Sequence, residues 1–190
     1  PAVIFDSKYE DIIPDSYMLS VQQIRDVAGS FNAQNSAGQT TAMGFAPSWD
    51  GNFLYLVTQG AGAAYRQDGE VFSWNNDAVL QAVHYLRDWT EHFNGSTQDE
   101  KDFSFKYLYS PKYKRVTSGR CLFSYTTSNE MLSLNSEILQ NLDFRWIHQN
   151  RRIPVADTLV SVAIDKHSKN TTAAEAFITW LRSEERRVGK

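Results

Sequence analysis

Thr158-Leu159-Val160-Ser161-Val162-Ala163-Ile164 is followed, after a short polar loop, by Thr171-Thr172-Ala173-Ala174-Glu175-Ala176-Phe177-Ile178-Thr179-Trp180-Leu181, and the hydrophobic period changes between the two. Val160, Val162 and Ile164 recur at every second position, the period of a strand. Ala174, Phe177, Ile178 and Leu181 recur at intervals of three and four, the buried stripe of a helix. Thr172 followed three residues later by Glu175 predicts a capping box, so the helix is expected to start at Thr171 or Thr172. A strand feeding an amphipathic helix is the unit from which α/β proteins are assembled.

Working outward, the same alternation of patterns continues. Leu142, Phe144 and Trp146 predict a strand over about 142–147. Cys121, Phe123 and Tyr125 predict another over 120–125, followed by a helix from Ser128 to Gln140. The clearest helix is expected over 76–93, with Val79, Leu80, Val83, Leu86 and Phe93 on one face and Asn94-Gly95 as its stop. Trp49 to Gln59 predicts a further helix, and Gln67-Asp68-Gly69-Glu70 has turn chemistry. Ser20 and Gln23 form a capping box ahead of Ile24, Val27, Ala28 and Phe31, which places a helix at about 20–32. Ala2-Val3-Ile4-Phe5-Asp6 reads as a buried strand. The expected fold class is therefore α/β.

Composition limits the function. Of 190 residues, 42% are hydrophobic, enough for a folded core. The formal net charge of -3 argues against a dedicated nucleic-acid binder, which needs a basic stripe. Basic clusters at 112–115 and 182–190 read as solvated surface. The single cysteine, Cys121, lies in an apolar run and reads as a small core residue. Gly60-Ala61-Gly62 lacks the third glycine of a phosphate loop, and His84, His92, His148 and His167 have no zinc spacing, so neither cofactor nor metal is expected. No pair of carboxylates stands out as a glycosidase pair.

Aromatic residues make up 13% of the chain. Sugar rings pack their C–H faces on flat aromatic side chains while flanking polar groups bond the hydroxyls. Trp74, Trp89, Trp146 and Trp180 fall in or beside patterned elements and read as core. Trp49, between Pro47-Ser48 and Asp50-Gly51-Asn52, and Tyr125, just ahead of Thr126-Thr127-Ser128-Asn129, stand where a ligand could be held.

In order, these segments resemble the extracellular solute-binding proteins of ABC importers, in particular the sugar-binding family that includes maltose-binding protein. The resemblance is carried by Pro14-Asp15-Ser16-Tyr17-Met18-Leu19 ahead of a helix, Gly44-Phe45-Ala46-Pro47-Ser48-Trp49, Val116-Thr117-Ser118-Gly119-Arg120-Cys121-Leu122-Phe123, and above all Ser161-Val162-Ala163-Ile164-Asp165-Lys166-His167-Ser168-Lys169-Asn170 with Ala173-Ala174-Glu175-Ala176-Phe177-Ile178-Thr179-Trp180-Leu181. Asp6, Tyr17 and Leu159-Val160 depart from the family's usual Asn, Trp and small glycines, and these departures bear on which solute is bound.

The resemblance implies a periplasmic-binding-protein-like (type II) fold of two α/β lobes with ligand trapped between them. By order, 1–140 is expected to be the second lobe and 141–183 the segment returning to the first. The opening part of the first lobe and the closing helices are expected to lie outside the chain. The tail 184–190 resembles translated sequencing-adaptor text. The implied ligand residues are Trp49 and Tyr125 as stacking faces, with Thr127, Asp157, Asn52, Tyr65 and Arg152 as polar or flanking contacts. The implied partners are a small solute, expected to be a sugar, and membrane permease subunits. The implied location is the periplasm or, as a lipoprotein, the outer face of the cytoplasmic membrane. The rival reading is a carbohydrate-active enzyme, and a third is a secreted interaction module.

Overall fold

The computed structural model describes residues 1–63, 66–68, 71–73, 77–148, 163–165 and 167–182. The chain divides into two compact units, Pro1–Ile153 and Pro154–Lys190. The first unit contains β1 (Ala2–Asp6), a 3-10 turn (Ser7–Ile12), β2 (Met18–Ser20), α1 (Val21–Phe31), β3 (Ala33–Gln34) and β4 (Thr40–Ala42). A second 3-10 turn (Pro47–Trp49) leads into α2 (Gly51–Gly60), β5 (Arg66–Asp68), β6 (Val71–Ser73) and α3 (Asp77–Trp89). A π-helical turn (Thr90–Asn94) precedes α4 (Thr97–Tyr107), α5 (Lys112–Thr117), β7 (Ser124–Thr126), α6 (Ser128–Leu132), α7 (Ser136–Leu139) and β8 (Leu142–His148). The second unit contains α8 (Thr171–Arg182).

The main sheet is mixed, with order β2-β8-β1-β7, so the fold is α/β. β1 runs antiparallel to both neighbours, with Ile4 opposite Phe144 and Ser124, and β2 runs parallel to β8, with Leu19 opposite Ile147. Ala2, Val3, Ile4 and Phe5 are all buried, as expected for an interior strand covered on both faces. One face joins Val3, Phe5, Leu19, Ile147 and Tyr125 to Ile24, Ala28, Phe53 and Trp89 in a single apolar cluster. Its aromatic centre is Phe53, which meets Phe45 at 4.9 Å and Trp89 at 5.9 Å, both edge to face.

β8 falls in the segment 141–183, which the resemblance assigns to the return to the first lobe. Leu142–His148 lies between β1 and β2 inside the sheet of the first unit, and does not leave it. Alternation identifies a strand, but its partners are set by long-range pairing.

The helices follow their local signals with instructive exceptions. Ser20 Oγ accepts from Gln23 N at 3.1 Å, and Gln23 Oε1 accepts from Ser20 N at 2.9 Å, so the capping box of α1 forms. The buried face of α3 is Ala82, Leu86 and Trp89, whereas Leu80 and Val83 are exposed. The expected helix over 128–140 is two short ones, because Asn135 caps a new start by accepting from Ile138 N at 2.9 Å. Leu122 N and Phe123 N both donate to Gly44 O, at 3.0 and 2.9 Å, so the strand begins only at Ser124. Cys121 is fully buried, and burial pushes its thiol pKa up to about 12. α4 and α5 have no counterpart among the expected elements.

α8 starts at Thr171, and Asn170 O accepts from Ala174 N at 3.0 Å. Thr172 is thus inside the helix and does not cap it. Phe177 and Trp180 stack at 5.8 Å, and both are about half exposed, so the stripe expected to be buried is open at Phe177. The strand expected over 158–164 falls mostly outside the described residues. Among the described residues, no helix is long and apolar enough to cross a membrane.

Candidate functional site

The turn Pro47–Trp49 delivers the chain to Asp50, whose Oδ1 accepts from Asn52 N at 2.9 Å and so caps α2. Thr127 caps α6 in the same manner: its hydroxyl accepts from Glu130 N at 3.4 Å, and Glu130 Oε2 accepts from Thr127 N at 3.1 Å. α5 begins at Lys112, behind Pro111. The starts of these three helices are tied by one ammonium group: Lys112 Nζ lies 3.1 Å from Asp50 Oδ2 and 3.0 Å from Glu130 Oε1. A cation is disfavoured at a helix N-terminus, and the two carboxylates offset that cost.

Tyr125 forms part of the floor of this cluster. Lys112 Nζ is 5.8 Å from the centre of its ring, and Phe53 meets the ring edge-on at 6.1 Å. Burial is the main influence on the Glu130 carboxyl and by itself raises its pKa. The hydrogen bond and charge of Lys112, with the Thr126 hydroxyl and Thr127 N–H, outweigh burial, and the net direction is downward. Burial, with Asp50 and Glu130 adding, pushes Tyr125 from 10.0 to about 12.

The sign of the tyrosine effect is testable. A phenol whose folded pKa is raised contributes stability that is complete below the unfolded value, 10.0, and lost as pH rises through about 12. Urea unfolding at about pH 9 and about pH 11.5 should therefore show a smaller fall in stability for Tyr125→Phe than for the parent chain. An equal fall would mean that Tyr125 ionises like an exposed tyrosine.

Beside the cluster, Trp49 forms one wall of a cavity of about 470 Å³ whose other walls include Lys101, Phe105, Tyr109 and Arg115. Phe103 stacks on the indole at 6.0 Å and 12°, and Trp49 Nε1 donates to Glu100 O at 3.2 Å. The indole is held in place from two directions. Among the described residues, no group of three or more His, Cys, Asp or Glu side chains is placed to hold a metal ion.

No protein-family model, curated protein or solved structure matches the chain.

Four of the expected ligand residues fall in this region, with roles set by their surroundings. Trp49 is half-buried and lines the cavity. Asn52 is exposed in the first turn of α2. Tyr125 is 6% exposed, so it offers no open stacking face and instead supports the residues above it. The Thr127 hydroxyl is engaged in its helix cap. Tyr65, Arg152 and Asp157 lie outside the described residues. Sequence reasoning missed Asp50, Lys112 and Glu130. The cluster 112–115, read as solvated surface, puts Lys112 in an ion-paired junction and Arg115 in the cavity wall. One signal was present: Thr127 followed three residues later by Glu130 is a capping-box spacing.

Proposed function

We propose that this chain is part of the substrate-capturing component of a bacterial ABC importer, acting outside the cytoplasmic membrane and holding a mono- or oligosaccharide for delivery to a permease. The observation that carries the reading is the convergence of the α2, α5 and α6 starts on Asp50, Lys112 and Glu130, next to a fixed indole. Carboxylates and an ammonium group supply the acceptors and donors that sugar hydroxyls need, and the indole supplies a face for the ring. Closure of two lobes over the ligand, with these contacts favouring the closed state, is the mechanism the family resemblance implies. A glycosidase acid needs a raised pKa, and Glu130, which Lys112 holds downward against the effect of burial, is unsuited to that one role.

Asp50→Asn tests the reading, because Asn still caps α2 but removes the charge facing Lys112. In a saturation-transfer and calorimetric screen of neutral mono- and oligosaccharides against the chain, at least one should bind, and Asp50→Asn should weaken it by about tenfold at nearly unchanged stability. Release of reducing ends from a bound sugar, or no binding by any member of the screen, would overturn the proposal.

A further inference from the structure

The cavity beside Trp49 is lined by two cationic side chains. Lys101, on α4, and Arg115, on α5, both line it. Among the described residues, neither makes an ion pair. Lys112, one turn before Arg115, is paired twice. Arg115 Nε donates to Ser110 O at 2.7 Å, which orients the guanidinium while leaving its terminal amino groups for another acceptor. The carboxylates of α4 are engaged elsewhere: Asp99 accepts from Ser96, the Glu100 carboxyl from Ser48 and Asn94, and Asp102 from Gln98. Two cations with no ion-pair partner among the described residues, in a chain of net charge -3, suit an anionic group from outside.

The rest of the cavity describes what carries that anion. Phe105 and Tyr109 are 81% and 89% exposed, an unusual placement for large rings, and Trp49 completes an aromatic wall. Ser48 and Ser104 also line the cavity. Aromatic faces suit the C–H face of a pyranose ring, and a planar guanidinium matches a carboxylate through two parallel hydrogen bonds.

We infer that the bound solute is an acidic saccharide, and that Arg115 and Lys101 receive its carboxylate while Trp49, Phe105 and Tyr109 pack on its ring. This rests on the sugar-capturing reading above and narrows its substrate class to uronate-bearing sugars.

Calorimetry and saturation-transfer measurements on the chain would compare galacturonate and glucuronate disaccharides with their neutral galactose and glucose counterparts. The uronates are expected to bind at least about tenfold more tightly at low salt and to lose that advantage as ionic strength rises. Lys101→Gln, an exposed substitution, should remove part of the preference, and Arg115→Met with Lys101→Gln should abolish it. Equal binding of neutral and acidic disaccharides, or a preference that survives the double substitution, would overturn the inference while leaving sugar capture standing. Preferential binding of a sulfated disaccharide would overturn the carboxylate assignment. Failure of all saccharides would overturn both readings.

Discussion

Gly44→Ala is expected to destabilise the first unit by more than about 3 kcal/mol, the upper range for overpacking a core. Gly44 runs against the backbone of α1, and a Cβ placed on it would lie 2.3 Å from Ala28 O and 2.7 Å from Ala28 Cα. Backbone of a packed helix cannot move aside as a flexible side-chain tip can. Any relief would displace other contacts, because Gly44 N donates to Asn32 Oδ1 at 2.8 Å while Gly44 O accepts from Leu122 and Phe123. Gly51→Ala provides the contrast. Nothing lies within 4 Å of a Cβ at Gly51, so that change should alter stability by less than about 0.5 kcal/mol. Urea unfolding of the two variants checks both values, and similar midpoints would mean that Gly44 does not pack against α1 as described.

Glu100→Ala should cost about 3 kcal/mol, because its carboxyl is fully buried and holds together segments distant in sequence. Ser48 Oγ donates to Glu100 Oε2 at 2.5 Å, and Asn94 Nδ2 donates to Glu100 Oε1 at 2.8 Å. Asn94 Oδ1 in turn accepts from Asn32 Nδ2 at 3.0 Å, and Asn32 Nδ2 also donates to Phe93 O at 2.7 Å. The network thus links the end of α1, the π-helical turn, the start of α4 and the segment that carries Trp49. Truncation leaves the Asn94 amide short of an acceptor inside the protein, which costs more than the net worth of the hydrogen bond. Ser48→Ala should cost only about 1 kcal/mol, since Ser48 is exposed and water can replace it. A Glu100–Asn94 double-mutant cycle should return coupling of about 1–3 kcal/mol, and additive single effects would show that the two side chains do not interact. Because Trp49 Nε1 donates to Glu100 O, loss of the network should also loosen the indole and weaken ligand binding.

The candidate site was only partly legible in the residues. Trp49 stood out because an aromatic side chain lay among turn and capping residues, and it does line a cavity. Tyr125 carried the same signal, a strand-end aromatic before a polar helix start, yet its ring is buried against Phe53. Which side of a strand faces the interior depends on what packs there, and that packing comes from α2, far away in the chain. Thr127 was singled out for its hydroxyl, which the capping box claims. Asp50, Lys112 and Glu130 were illegible as a unit, since their junction forms only when three helix starts converge.

The sequence by itself determined the elements whose cause is local. The Ser20–Gln23 box starts α1, the stripe of Ile24 and Ala28 buries it, the unbroken apolar run Ala2–Phe5 makes a central strand, and the helical period after Asn170 makes α8. Each depends on residues within a few positions of one another, so composition and spacing suffice. The tertiary structure alone decided that Leu142–His148 enters the sheet between β1 and β2, that Gly44 must lack a side chain, and that Arg115 and Lys101 line the same cavity. Those outcomes depend on hydrogen bonds and packing between segments remote in the chain, and no local period records them.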